Sequence, residues 1–282
     1  MTAEVQDKTD RTQARLARFS FNQATAQHWA LAEAVAGCAA AGLTGIGLWR
    51  EPVQAYGVAA TAALVRGAGL TVTSLCRGGF FQQDDWYDEN RRAIDEAATL
   101  GTGVLVLVSG GLRPGERDID AARKHVGDAI GRLVPHALDA GVQLAIEPLH
   151  PMFASDRCVV STLGQALDLA HPYPAEAVGV VVDTYHLWWD DRAWRQISRA
   201  GAERRISCFQ AADWITPLPE GVLLGRGLPG TGCVELRRFR EAVDAAGYTG
   251  PVEVEVFNAD VWARPGEEIL AETIQRYLDH VA

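Results

Sequence analysis

The chain has 282 residues, of which 48% are hydrophobic and 22% charged, and a net charge of −10. That composition is ample for one globular core, and an α/β barrel of about 250 residues would accommodate it as a single domain. The acidic balance argues against nucleic acid or an anionic membrane as main partner, because both reward clustered Lys and Arg; a small anion held by a local Arg stays open.

In chain order, the start (MTAEVQDKTDRTQAR) is polar and has no apolar signal-peptide core. It predicts a flexible tail over residues 1–16, a barrel over 17–282 and a cytoplasmic protein. No apolar run approaches the roughly 18 residues that a membrane span needs. Eight apolar, β-rich segments follow: Ala17–Asn22, Gly45–Trp49, Thr71–Cys76, Val104–Ser109, Gln143–Glu147, Val178–Asp183, Ile206–Gln210 and Pro251–Phe257. Between them the spacing is helical over Ala30–Ala40, Val58–Arg66, Glu89–Leu100 and Ile119–Ala140, and again over Leu163–Ala170, Ala193–Ala200, Leu236–Ala246 and Glu267–Val281.

Gly42, Gly69, Gly101, Gly141 and Gly247 stand where helices give way to strands, as helix-ending glycines do. Continuous apolar strands such as Val104–Val108 imply a parallel sheet covered on both faces. Strict alternation through eight units favours a single (β/α)8 TIM barrel over an open sheet. No G-x-G-x-x-G follows the first strand, so a nucleotide-binding sheet has no support. Five scattered cysteines without a C-x-x-C pair read as reduced thiols.

Four of the later strands end in a polar, metal-capable residue: Glu147, Asp183, Gln210 and Glu255. In a barrel those ends share the catalytic face. A carboxylate finishing a buried strand is costly unless neutralised, so the four are predicted to converge on one cation. Each has a plainer reading: Asp183 could cap the next helix, and Gln210 alone says little. Of Glu253 and Glu255, one is expected to point into the barrel and the other towards the helices; Glu255, nearer the loop face, is taken as the ligand.

These segments bring a family into view. The chain resembles the xylose isomerase-like barrels, the group of sugar isomerases and epimerases with inosose isomerases, ketose 3-epimerases and some dehydratases. The likeness is most specific in I-E-P-L (Glu147), V-D-T-Y-H (Asp183, His186), Q-A-A-D (Gln210, Asp213), G-R-G-L-P-G-T-G (Gly225–Gly232) and V-E-V-F (Glu255). It implies one divalent metal held by Glu147, Asp183, Gln210 and Glu255, with Glu147 and Glu255 also acting as the acid/base pair. The family's usual residue at the strand-seven position is His; Gln210 stands there instead.

An all-oxygen ligand set favours Mn²⁺ or Mg²⁺ over Zn²⁺. Three carboxylates against two positive charges leave the site negative, which suits a neutral hydroxy-ketone better than a polyanion. The resemblance makes His186 a substrate hydrogen-bond donor. His150, three residues after Glu147, is a candidate contact or extra base, and Arg226 in the glycine-rich loop a clamp for a substrate oxygen. Asp213 would orient neighbouring groups. Trp49 and Trp188 at strand ends suit the apolar faces of a sugar ring, although Trp188 and Trp189 could equally line a homo-oligomer interface. Asn22, Arg77 and Phe81 are weaker pocket candidates.

The expected activity is therefore metal-dependent isomerisation or epimerisation of a keto-sugar or keto-cyclitol. The alternative is a lyase that abstracts the same proton and then eliminates. An endonuclease-like reading needs several His ligands for a zinc cluster and a basic face, whereas the chain has seven scattered His and a net charge of −10. A non-catalytic binding barrel is the remaining reading.

Overall fold

The computed structural model describes residues 13–282. Eight parallel strands close on themselves: β1 Phe19–Asn22, β2 Gly45–Trp49, β3 Thr71–Gly79, β4 Val104–Val108, β5 Gln143–Ile146, β6 Val178–Asp183, β7 Ile206–Ala211 and β8 Val252–Val254. Closure comes from β1, which pairs Phe19 with Val252 on one side and Ser20 with Gly45 on the other. The fold is the predicted single (β/α)8 barrel.

Local signals explain where elements begin and end. The helix Ile119–Ala140 starts where the Asp118 carboxylate accepts from the N–H groups of Asp120 and Ala121, satisfying donors that the first turn leaves unpaired. It stops at Gly141, with φ +67°. Between these ends Val126, Ala129, Ile130, Leu133 and Ala137 form its buried stripe.

Three departures from the sequence reading have physical causes. Strand β3 continues beyond Cys76 through Gly78 and Gly79, which pair with Leu107 and Val108 after a register shift. Gly79 has φ +101°, and a Cβ there would sit 1.9 Å from the Val108 oxygen, so the strand continues only because the residue is glycine. A helix at Arg50–Tyr56 follows β2 directly; Pro52 in its first turn is tolerated there but disguises it. Residues 13–16 form a helical turn with Leu16 buried, so the packed chain begins before the predicted boundary. The rest of the expected tail, residues 1–12, lies outside the described residues.

The barrel interior is divided. Cys76, Val106, Ala145, Val181 and Cys208 make an apolar layer. Opposite them, fully buried Glu253 accepts hydrogen bonds from Asn22 Nδ2 at 2.8 Å, Thr73 Oγ1 at 2.8 Å, Ser74 Oγ at 2.9 Å and Gln210 Nε2 at 3.0 Å. Gly47 leaves room for it: a Cβ at that position would stand 2.5 Å from a Glu253 oxygen. The expectation that Glu253 and Glu255 face opposite ways is overturned. Residues two apart on a strand share a face, and Asn22 Nδ2 reaches both carboxylates, at 2.8 and 3.1 Å.

Among the described residues no helix is long and apolar enough to cross a membrane.

Candidate active site

The C-terminal rim of strands β5 to β8 carries the four predicted ligands. Asp183 ends β6, Gln210 is the penultimate residue of β7, and Glu147 and Glu255 lie one residue past β5 and β8. Strand register sets Asp183 beside Gln210, and Gln210 beside Glu253. All four residues are buried, so the three carboxylates need partners within the protein.

Arg226 supplies part of that compensation. Residues Arg226–Gly227 form a two-residue antiparallel ribbon with Asp213–Trp214, which brings the guanidinium into the rim. Its Nη1 lies 2.8 Å from Glu255 Oε2 and 3.3 Å from Asp183 Oδ2. Asp213 holds the glycine-rich loop that follows, accepting from the backbone N–H groups of Trp214, Gly230 and Val234 at 2.9 Å each. Asp213 thus positions Arg226 through the backbone.

The carboxylates differ in environment. Burial, with the neighbouring charges of Asp183 and Glu255, pushes the Glu147 carboxyl well above the ordinary range, and Oε1 is buried without a hydrogen-bond partner. Burial also raises Glu255, to about 7, against the opposing effect of Arg226. Asp183 is raised by burial, partly offset by Arg226 and by backbone N–H groups. Its Oδ1 accepts from Tyr185 N at 2.7 Å, so Asp183 caps the short helix Thr184–Leu187 with one oxygen and turns the other to the rim.

His186 sits in that helix rather than on a loop, and is buried. Burial and Arg226 lower its pKa well below the usual imidazole value, so it is neutral and carries one N–H. Nδ1 is 3.1 Å from the backbone N–H of His150. Nε2 is 4.0 Å from both Glu147 Oε1 and Asp183 Oδ2 and 3.1 Å from Arg226 Nη2. Both ring nitrogens therefore face a donor, and a neutral imidazole can accept from only one of them.

The donor set fits a divalent cation. Ligand atoms of Glu147, Asp183 and His186 all lie within 4.8 Å of one another, and Gln210 Oε1, like Glu147 Oε1, is buried without a partner. Glu255 stands outside that tight group; Arg226, Trp49 and Asn22 take up its oxygens.

Above the rim lies a narrow pocket lined by Trp49, Glu147, His186, Arg226 and Glu255 among the predicted residues. Trp49 Nε1 donates to Glu255 Oε1 at 3.1 Å. Arg77, a weaker candidate, also lines it, whereas Asn22 lies beneath the site and Phe81 packs against Trp86. His150 and Trp188 do not line the pocket. The His150 ring packs against Trp189 and Trp214, and Trp188 rests on Trp214. Tyr185, Phe153, Phe257 and Arg157 line the pocket without having been singled out; Tyr185 lies between two named residues of V-D-T-Y-H, but nothing in the spacing marks Arg157.

A family model described as "Xylose isomerase-like TIM barrel" matches residues 35–280. Among solved structures, protein SMc04130 from Sinorhizobium meliloti 1021 is 45% identical with a TM-score of 0.91, covering 94% of this chain and 99% of that one. An inosose isomerase of Bacillus velezensis is 26% identical over 187 residues, 64% of this chain and 63% of that enzyme. A 3-dehydroshikimate dehydratase of Pseudomonas aeruginosa is 31% identical over 210 residues, 68% of this chain and 31% of that protein. The chain thus spans less than two thirds of the length of these two curated relatives.

Proposed function

The chain belongs to the xylose isomerase-like TIM barrel family, and from that premise we propose that it is a divalent-metal-dependent isomerase or epimerase of a small keto-sugar or keto-cyclitol. The observation that carries this reading is a buried rim of three carboxylates in which Glu147 Oε1 has no partner. Glu147, Asp183, Gln210 and Glu255, with His186 beside them, would hold the ion, Mn²⁺ or Mg²⁺ by the hardness of the oxygen donors. When bound, it supplies Lewis acidity towards a carbonyl and acidifies the adjacent C–H.

The chain's own groups do the rest. Glu147 Oε1 takes the proton from the carbon beside the carbonyl. Glu255 is the acid/base counterpart that returns a proton to the enediolate. Arg226, whose guanidinium can only donate, stabilises the oxygen on which charge develops. Trp49 and Phe257, edge to face at 5.1 Å, wall the pocket and exclude water.

Elimination would share the first step and then need a base beside the leaving group. His150, the candidate for that part, is turned away against Trp189 and Trp214, which favours isomerisation. Chromatographic separation with mass detection of inosose, D-psicose and 3-dehydroshikimate incubated with protein and Mn²⁺ tests the reading. Isomerisation conserves mass and elimination loses a water; failure to convert any of the three counts against a proton-transfer enzyme.

A further inference from the structure

Two arginines in the same pocket have a charge that the carboxylate cluster does not use. Arg77, towards the end of β3, and Arg157, on the loop after β5, line the cavity together with Glu147, His186 and Arg226. Each has its Nε buried and without a hydrogen-bond partner. Among the described residues the Arg157 side chain makes no hydrogen bond and no ion pair; its backbone N–H bonds Phe153 O at 3.0 Å and anchors the loop. Arg77 has one ion pair, Nη2 to Glu51 Oε1 at 3.8 Å, which is beyond hydrogen-bond reach and involves a carboxylate that is 65% exposed. Screening leaves such a contact weak. Its guanidinium lies 4.2 Å from the centre of the Phe80 ring and 5.7 Å from that of Trp49, contacts that fix its plane without neutralising it.

Arg226 shows the contrast. Its charge is taken up by Glu255 and Asp183, so the three carboxylates already have a cation among them before any substrate arrives. The charge count that favoured a neutral substrate omitted this guanidinium. In a chain of net charge −10, two further cations facing a small pocket and lacking close counter-charges are matched only by something that enters it. Planar guanidinium forks fit oxyanions in particular.

We propose that Arg77 and Arg157 form an anion subsite, and that the substrate is a hydroxy-ketone that also carries one carboxylate or phosphate. This rests on the proton-transfer reading above and narrows its substrate class. The experiment is calorimetric binding of three probes, neutral inosose, 3-dehydroshikimate and D-fructose 6-phosphate, to the unaltered Mn²⁺-loaded protein and to R77Q, R157Q and R157K. At least one charged probe is expected to bind tenfold or more tightly than inosose, and which one does separates carboxylate from phosphate. R157Q and R77Q should each weaken that probe at least tenfold more than they weaken inosose, with R157K recovering part of the loss. Raising KCl from about 50 to about 500 mM should weaken the charged probe alone, a measurement that needs no variant to fold. Equal losses for all probes, or charged probes binding no tighter than inosose, would overturn the subsite. Turnover of inosose with Mn²⁺ in that case would leave the proton-transfer reading standing, while tight salt-sensitive binding without turnover of any probe would do the reverse.

Discussion

Gln210 Nε2 donates to Glu253 Oε1 at 3.0 Å, and this contact decides where the Gln210 oxygen points. Glu253 also accepts from Asn22, Thr73 and Ser74, so four donors converge on it. Facing it, Gln210 must present its NH2 group, which leaves Oε1 turned away, buried and unpartnered. In E253Q one acceptor becomes a donor facing donors, and the Gln210 amide loses its orientation. Residues that orient ligands from behind typically matter by about 10- to 100-fold in metal affinity. E253Q should therefore weaken Mn²⁺ binding by roughly that factor in a calorimetric titration; a change under about twofold would exclude Glu253 from this part.

Glu147 and Glu255 should respond alike in turnover and differently in stability. E147Q and E255Q are each expected to lower turnover of inosose by about 10²- to 10⁴-fold. Glu147 Oε1 has no hydrogen-bond partner, so E147Q breaks no contact at that atom and the melting temperature should hold. Glu255 is paired with Arg226 at 2.8 Å, so E255Q should cost about 1–3 kcal/mol. Thermal unfolding of both variants checks this, and equal stability losses would contradict the assignment of Arg226 to Glu255.

Much of this geometry was legible because its signals are local. The helix Ile119–Ala140 and strand Val178–Asp183 match residue for residue, one marked by an Asp cap and a terminal Gly, the other by an unbroken apolar run closed by a carboxylate. Strand-end position alone brings Glu147, Asp183, Gln210 and Glu255 to one rim. The same criterion cannot say which way a side chain beyond the strand turns. His150 and Trp188 stand three and five residues past their strand-end acids, and both pack into an aromatic cluster beside the pocket. Arg157 reaches the pocket through the turn at Pro151–Phe153, a tertiary placement with no period to betray it.

The thiols give a test of barrel integrity. Cys38, Cys76, Cys158 and Cys208 are buried and Cys233 is exposed. Burial raises the four buried thiols, Cys38 to about 12, so they stay protonated and shielded at pH 8. An aromatic disulfide reagent should titrate one thiol in the native protein and all five in guanidinium. Fast reaction of a second native thiol would show that the barrel opens readily.

Two glycines separate backbone strain from steric exclusion. Gly141 has φ +67° and open space where a Cβ would stand, so G141A should cost only about 1–2 kcal/mol for the left-handed conformation. Gly79 combines φ +101° with a Cβ position 1.9 Å from the Val108 oxygen. Because that oxygen belongs to the backbone of β4, the clash cannot be relieved by a rotamer change. G79A should lose roughly 4 kcal/mol or more, or fail to fold, as read from denaturant midpoints.

Gln210→His tests the metal assignment most directly. An imidazole at position 210 would meet the same Glu253 carboxylate that now accepts from the amide. Donating one ring N–H to it fixes the tautomer and leaves the other nitrogen as a ligand, the carboxylate–histidine arrangement that supports zinc. Exchanging an amide oxygen for a borderline-soft nitrogen should shift preference from Mn²⁺ and Mg²⁺ towards Zn²⁺. Competition titrations should show the ratio of Zn²⁺ to Mn²⁺ affinity rising by about tenfold or more. An unchanged ratio would mean that the carboxamide oxygen of Gln210, buried and unpartnered though it is, never touches the ion.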